Sequence, residues 1–383
     1  MSVTAAGGFR AAGVSAGLKS SGGLDVALVV NDGPLDAAAG VFTANRVKAA
    51  PVLWSQQVLG TGRLGAVVLN SGGANACTGP DGFADTHATA ETAAAALGVG
   101  AIDVAVCSTG LIGERLPMQL LLPGVEKAAA SLAPTGGGDA ARAIMTTDTV
   151  AKTATVAGDG WTLGGMAKGA GMLAPGLATM LCVLTTDAVV DSAGCEAALR
   201  AATARTFDRV DSDGCMSTND TVLLLASGAS GVTPSPGGFA AAVERLCADL
   251  CRQLVADAEG ATKDVAIEVV GAASEAEAVQ VGRAVARSAL LKCAFFGNDP
   301  NWGRVLAAVG TTAAAFDPAA LDVAINGVQV CRAGAAGDSR DLVDLSGRDV
   351  AVLVDLHAGP ATATVWTNDL SLAYVHENSA YST

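Results

Sequence analysis

Histidine is scarce in this chain, with His87, His357 and His376 the only three in 383 residues. That scarcity argues against a histidine-based triad or an imidazole-rich metal cluster, so any catalysis needs another nucleophile and another base. Aromatic residues make up only 4%, while glycine reaches 47, which suggests a core closed by small side chains. No apolar run reaches the length of a membrane span without interruption. The first 19 residues lack a signal-peptide core and transit-peptide character, so a cytoplasmic location is expected. Basic residues are outnumbered 23 to 37, and the net charge of −14 disfavours nucleic acid and anionic membranes as partners. The nine cysteines are scattered, odd in number and without metal-type spacing beside histidine. Reduced, mostly buried thiols and no bound metal are therefore expected.

What the chain does have is an unusual centre. Residues 164–174 are glycine and small residues around one lysine, Lys168, and residues 178–186 form an apolar run of strand length ending in Thr185-Thr186-Asp187. Three readings compete. In the first, a glycine-rich loop simply enters a buried strand and Thr179 is a pleat residue. In the second, Gly169-Ala170-Gly171-Met172-Leu173-Ala174 is a dinucleotide-binding turn, which would make this a non-catalytic cofactor-binding protein. That motif requires a helix directly after it to receive the pyrophosphate, and here Pro175-Gly176 and a strand-like run follow instead. In the third, the Ala178–Thr179 bond breaks by self-cleavage and Thr179 becomes an N-terminus. Its own α-amine, with a pKa of about 7.7–8.0, then accepts the hydroxyl proton near neutral pH.

The rest of the chain alternates helix and strand signals. Strands are predicted over 24–31, 38–43, 65–69, 104–107, 153–156, 161–163 and 222–226, and helices over 81–97, 192–206 and 239–256. Ser274-x-x-Glu277 is a capping box that predicts a helix to about residue 293. From residue 321 a period of two predicts an antiparallel strand set over 323–325, 328–331, 350–356 and 361–367. Residues 295–304 read as an aromatic turn-rich loop packed beneath a site.

Several loops carry polar side chains. Residues 70–79 follow a strand and read equally well as a site loop or a plain turn. The strand 104–107 runs into Ser108-Thr109-Gly110, a geometry that can aim backbone N–H groups and a hydroxyl at a reaction centre, as an oxyanion hole does. Asp211-x-Asp213-Gly214 hints at a calcium loop but lacks the further ligands, and reads as a structured polar loop. Glu259, before Gly260, could neutralise a substrate amine or simply end a helix. The tail 374–383 lacks charged low-complexity character and reads as docked.

Taken in order, Asn70-Ser71-Gly72-Gly73-Ala74-Asn75-Ala76, Ser108-Thr109-Gly110-Leu111-Ile112-Gly113, Met145-Thr146-Thr147-Asp148, Lys168-Gly169-x-Gly171-Met172, Ala178-Thr179-Met180-Leu181, residues 299–304 and the Asn378…Tyr381 tail resemble the ornithine acetyltransferase family of arginine biosynthesis, also called glutamate N-acetyltransferase. The resemblance covers essentially the whole chain. It implies an α/β fold, a layered helix/sheet/sheet/helix core with a smaller C-terminal α/β portion at about 230–345. It implies self-cleavage into an α chain, 1–178, and a β chain, 179–383, that associate, commonly as two of each.

For the site the resemblance implies Thr179 as nucleophile, Thr109 and Gly110 as the oxyanion pair, and Thr146, Lys168, Thr179, Glu259, Asn378 and Thr383 as substrate contacts, with Thr147 the alternative to Thr146. The implied reaction passes acetyl from N-acetylornithine to glutamate by a ping-pong route with no cofactor, and some members accept acetyl-CoA as donor. The rival reading is a self-cleaving N-terminal-nucleophile aminopeptidase or amidase of related architecture.

Overall fold

The computed structural model describes residues 2–174 and 180–380. The expectations on Ala178, Thr179, Tyr381 and Thr383 lie outside the described residues.

In chain order the first half comprises β1 Phe9–Val14, β2 Val26–Asn31, β3 Ala37–Phe42, α1 Ala50–Val58, β4 Ala66–Ser71, α2 Gly79–Leu97, β5 Val104–Thr109, α3 Met118–Ala130, α4 Gly137–Ala143, β6 Lys152–Ala157 and β7 Thr162–Lys168. Then come β8 Leu181–Thr186, α5 Ser192–Arg205, β9 Thr221–Ala226, α6 Pro236–Ala256, β10 Asp264–Ala272, α7 Glu275–Ala286, α8 Ala289–Phe296 and α9 Trp302–Val309. The chain ends in β11 Asp322–Ile325, β12 Val328–Arg332, β13 Ala335–Ala336, β14 Asp349–Asp355, β15 Ala361–Asn368 and α10 Leu372–Ala380.

Two sheets form the main body. One runs β1-β2-β4-β5 and the other β3-β9-β8-β7-β6. The pleat of β8 explains why its sequence is apolar from Leu181 to Leu184. Leu181 and Val183 point into the core shared with the first sheet, and Cys182 and Leu184 into the core shared with α5 and α6. A strand buried on both faces has no polar alternation to show. Helix α6 behaves as its periodicity predicts: Phe239, Val243, Leu246, Leu250 and Leu254 are all buried, and Ser235 caps it by accepting the Gly238 N–H. The layered helix/sheet/sheet/helix arrangement stands.

The third sheet, β13-β12-β11-β14-β10-β15, has its own core spanning residues 265–365 with α7, α8 and α9. Helix α6 falls inside the 230–345 stretch expected for this portion, yet it packs on α5, β6 and β7. The expected antiparallel set is in fact mixed. Strand β10 inserts between β14 and β15, parallel to the first and antiparallel to the second. The expected helix 274–293 is two helices, because Ser288 starts a second one by accepting the Leu291 N–H. Residues 295–304 are not all loop: Asn301 caps α9 through the Arg304 N–H. Among the described residues no helix is long and apolar enough to cross a membrane. All nine cysteines are free thiols, with Cys77, Cys215 and Cys293 exposed and the other six buried.

Candidate active site

The site forms where strand ends from the two main sheets meet. Strand β5 delivers Thr109 and β7 delivers Lys168, whose Nζ donates to Thr109 Oγ1 at 3.3 Å. The turn after β4 braces this junction. The N–H groups of Gly72 and Gly73 both donate to the Thr109 carbonyl at 3.0 Å. Ser108 Oγ donates to Asn70 Oδ1 at 2.6 Å, and Asn70 Nδ2 to the Gly73 carbonyl at 3.2 Å. The polar loop 70–79 is therefore part of the site's frame. Gly110 has φ of +131°, and a Cβ there would stand 2.6 Å from the Gly73 nitrogen, so only glycine fits.

The segment 208–221 reaches the same place. Asn219 Nδ2 donates to the carbonyls of Ala74 at 2.6 Å and Ser108 at 2.8 Å, tying this loop to both others. Asp220 Oδ1 accepts the N–H of Met180 at 2.9 Å, and Thr221 returns its N–H to the Met180 carbonyl at 3.0 Å. Burial pushes the Asp220 carboxyl well above its ordinary range, against the pull of the Met180 N–H and Lys168.

A cavity of about 330 Å³ opens over this junction. Its walls include Thr109, Gly110, Thr146, Thr147, Lys168, Glu259 and Asn378. Each residue nominated from the sequence within the described part thus lies on one cavity. Thr147 Oγ1 donates to Glu259 Oε1 at 2.7 Å, while the Thr146 N–H donates to Asp148 at 3.0 Å. Both threonines line the wall. Helix α10 carries Asn378 to the cavity and is tied at its start by Ser371, which donates to the Gly260 carbonyl, but none of its residues is buried. Residues 295–304 do not line it.

Ser217, Thr218 and Asn219 also line the cavity and were missed by sequence reasoning. The available signal was a run of short polar residues directly before an apolar strand, the mirror of the Asn70 and Ser108 loops. The supposed calcium loop is otherwise engaged. Asp211 pairs with Arg287 at 2.6 Å, and Asp213 accepts the N–H groups of Leu173 and Cys215, each at 2.9 Å. Among the described residues, 169–174 leave β7 without entering a helix and the next element is the strand β8, so no described helix N-terminus stands after the G-x-G-x-x-A match to receive a pyrophosphate.

Electrostatics are set by burial. Lys168 is 2% exposed, and desolvation lowers its ammonium below the usual lysine range, with Asp148 opposing and Lys152 reinforcing that shift. Burial pushes the Asp148 carboxyl up, but Lys168, Lys152 and the Gly169 N–H outweigh it and hold the group at about 2. Gly171 lies against Glu259, and a Cβ there would stand 2.6 Å from Oε2. That atom is the end of a flexible side chain. Gly171→Ala is therefore expected to fold normally, displace the carboxylate, and raise KM for a cationic substrate about tenfold, read by steady-state kinetics beside a melting curve.

Fold and cavity together define an α/β enzyme whose active site sits at converging strand ends. Residues 10–383 match the ArgJ family, and the chain belongs to that family, the multifunctional acyltransferases of arginine biosynthesis. It is 69% identical over 382 residues to the arginine biosynthesis bifunctional protein ArgJ of Streptomyces coelicolor, covering 100% of both chains. It is 67% identical over 383 residues to that of Thermobifida fusca, again covering 100% of both. Among solved structures, the ornithine acetyltransferase of Mycobacterium tuberculosis complexed with ornithine is 65% identical, with a TM-score of 0.45 over 47% of this chain and 96% of that one.

Proposed function

We propose that the protein transfers acetyl from N2-acetyl-L-ornithine to L-glutamate, using Thr179 as a nucleophile freed by self-cleavage after Ala178. The observation that carries this reading is the convergence of Thr109, Gly110, Lys168 and Glu259 on one cavity, with Asp220, which is buried and follows the cavity-lining Asn219 in sequence, accepting the Met180 N–H. Met180 is the next residue after Thr179 in the chain.

In the first half-reaction the Thr179 α-amine takes the hydroxyl proton and Oγ attacks the acetyl carbonyl. The oxyanion is met by donors at Thr109 and Gly110. The tetrahedral species collapses, the proton passes to the departing α-amine, and ornithine leaves. The acetyl group stays on Thr179 as an ester, which the α-amine of glutamate then attacks by the reverse path. Lys168 holds the substrate α-carboxylate and Glu259 faces an ammonium group. Thr146 or Thr147, Asn378 and Thr383 complete the contacts. Neither half-reaction needs a cofactor, and acetyl-CoA is an alternative donor whose use a direct assay decides. Chains 1–178 and 179–383 stay together, two of each.

A denaturing gel is expected to show two fragments, and acetyl is expected to pass from N-acetylornithine to glutamate. A fully active single chain would remove the mechanism. Release of acetyl to water in place of glutamate would favour the hydrolase reading.

A further inference from the structure

Behind the cavity, three of its segments are tied together by charged groups that the transfer steps do not use. The side chains of Asp148 and Lys152 are wholly buried, and that of Asp257 nearly so. Lys152 Nζ lies 2.6 Å from Asp148 Oδ1 and 2.5 Å from Asp257 Oδ2. Asp148 also accepts the N–H of Gly169 at 2.7 Å and of Thr146 at 3.0 Å. Asp257 accepts the Thr149 N–H at 3.0 Å and its hydroxyl. One cluster thus grips the end of β7 just after Lys168, the Thr146–Thr149 segment, and the turn two residues before Glu259. Replacing such buried ion clusters by apolar groups is often neutral or stabilising, so stability alone is a weak reason for this one.

We propose that Asp148 is a positioning residue for acetyl transfer, its carboxylate holding the Gly169 N–H next to Lys168 and placing a buried negative charge behind the Lys168 ammonium, with Lys152 as the counterweight that sets the strength of that effect. This rests on the reading of Lys168 as the group that holds the substrate carboxylate. Lys168 has Thr109 Oγ1 as a hydrogen-bond partner, a neutral hydroxyl that does not balance its charge. The charged groups around it are Asp148, Asp220 and Glu259, which favour the ammonium, and Lys152 and Lys19, which oppose it. An ammonium destabilised by burial is lost earlier as pH rises, and carboxylate binding is lost with it. Asp148→Asn removes the opposing negative charge, so the alkaline limb of activity moves to lower pH. Lys152→Gln removes a like charge, so that limb moves to higher pH.

The test is kcat/KM for N-acetylornithine, measured from mildly acidic to alkaline pH on the parent and both variants. The limb is expected to shift down by about one unit in Asp148→Asn and up by a similar amount in Lys152→Gln. On the alkaline side KM carries the loss in Asp148→Asn, on the order of tenfold, while kcat below the limb changes little. A uniform loss with unmoved limbs, or shifts of the same sign, would overturn the proposal and leave a purely structural cluster. Should Asp148→Asn fail to fold, the direction of the Lys152→Gln limb decides alone. The parent's own self-cleavage and acetyl transfer are measured first. A parent that transfers acetyl upholds the proposed function whatever the variants do.

Discussion

Thr179→Ala is expected to run as one uncut chain of 383 residues and to lose transfer by at least about 10⁴-fold. The effect is large because one substitution removes two functions. Without the hydroxyl nothing attacks the Ala178 carbonyl, so the bond stays closed. Without that cleavage there is no free α-amine to act as base, and no acyl acceptor on the enzyme. Thr179→Ser keeps a hydroxyl on the same carbon. It is expected to cleave and transfer at a reduced rate, which separates loss of the nucleophile from a general disturbance of the site. Gel mobility and a coupled ornithine-release assay read both effects.

Gly110→Ala has the second largest expected effect. The residue stands at φ +131°, where side chains are strained, and its Cβ would meet backbone atoms: Gly73 N at 2.6 Å and the Gly72 carbonyl carbon at 2.9 Å. Neither atom can yield easily, because Gly72 and Gly73 are both bonded to the Thr109 carbonyl. The turn must shift as a unit and misdirect its donors. A fall in kcat of about 10²–10³-fold is expected, the usual consequence of losing one oxyanion donor. A melting curve should fall by on the order of 1–3 kcal/mol of stability from the strained backbone. An active variant with parental kcat would show that Gly110 takes no part in stabilising the oxyanion.

Much of this architecture was legible because local chemistry and tertiary role coincide. Ser274, read as a cap before an apolar-periodic segment, does cap a helix, accepting the Glu277 N–H. Residues 104–107 read as a strand running into Ser108-Thr109-Gly110; the strand in fact continues to Thr109 and breaks at Gly110. Pairings set by distant sequence were not legible. Strand β10 joins β14 some 85 residues later, for Asp264 opposite Asp349, and nothing local to either announces a parallel neighbour. Ser288 resembles any surface serine until its helix cap is seen. In the site, Lys168 and Glu259 stood out in the sequence only as a lone lysine among glycines and a carboxylate that could equally end a helix, and the resemblance alone gave them substrate roles, since a lone lysine or glutamate carries no local signature. The Ser217–Asn219 wall escaped notice because its hydrogen bonds reach residues 74 and 108. Asp148 and Lys152, four apart, look like an ordinary surface pair, and only the fold brings Asp257 to Lys152.

The most direct measurement is the mass of each fragment after the purified enzyme meets N-acetylornithine with no acceptor. The fragment beginning at Thr179 should gain one acetyl group, at its first residue, and lose it when glutamate is added. An enzyme that transfers acetyl while no fragment ever carries it, or that carries it on the fragment ending at Ala178, would contradict the threonyl ester at the heart of the mechanism.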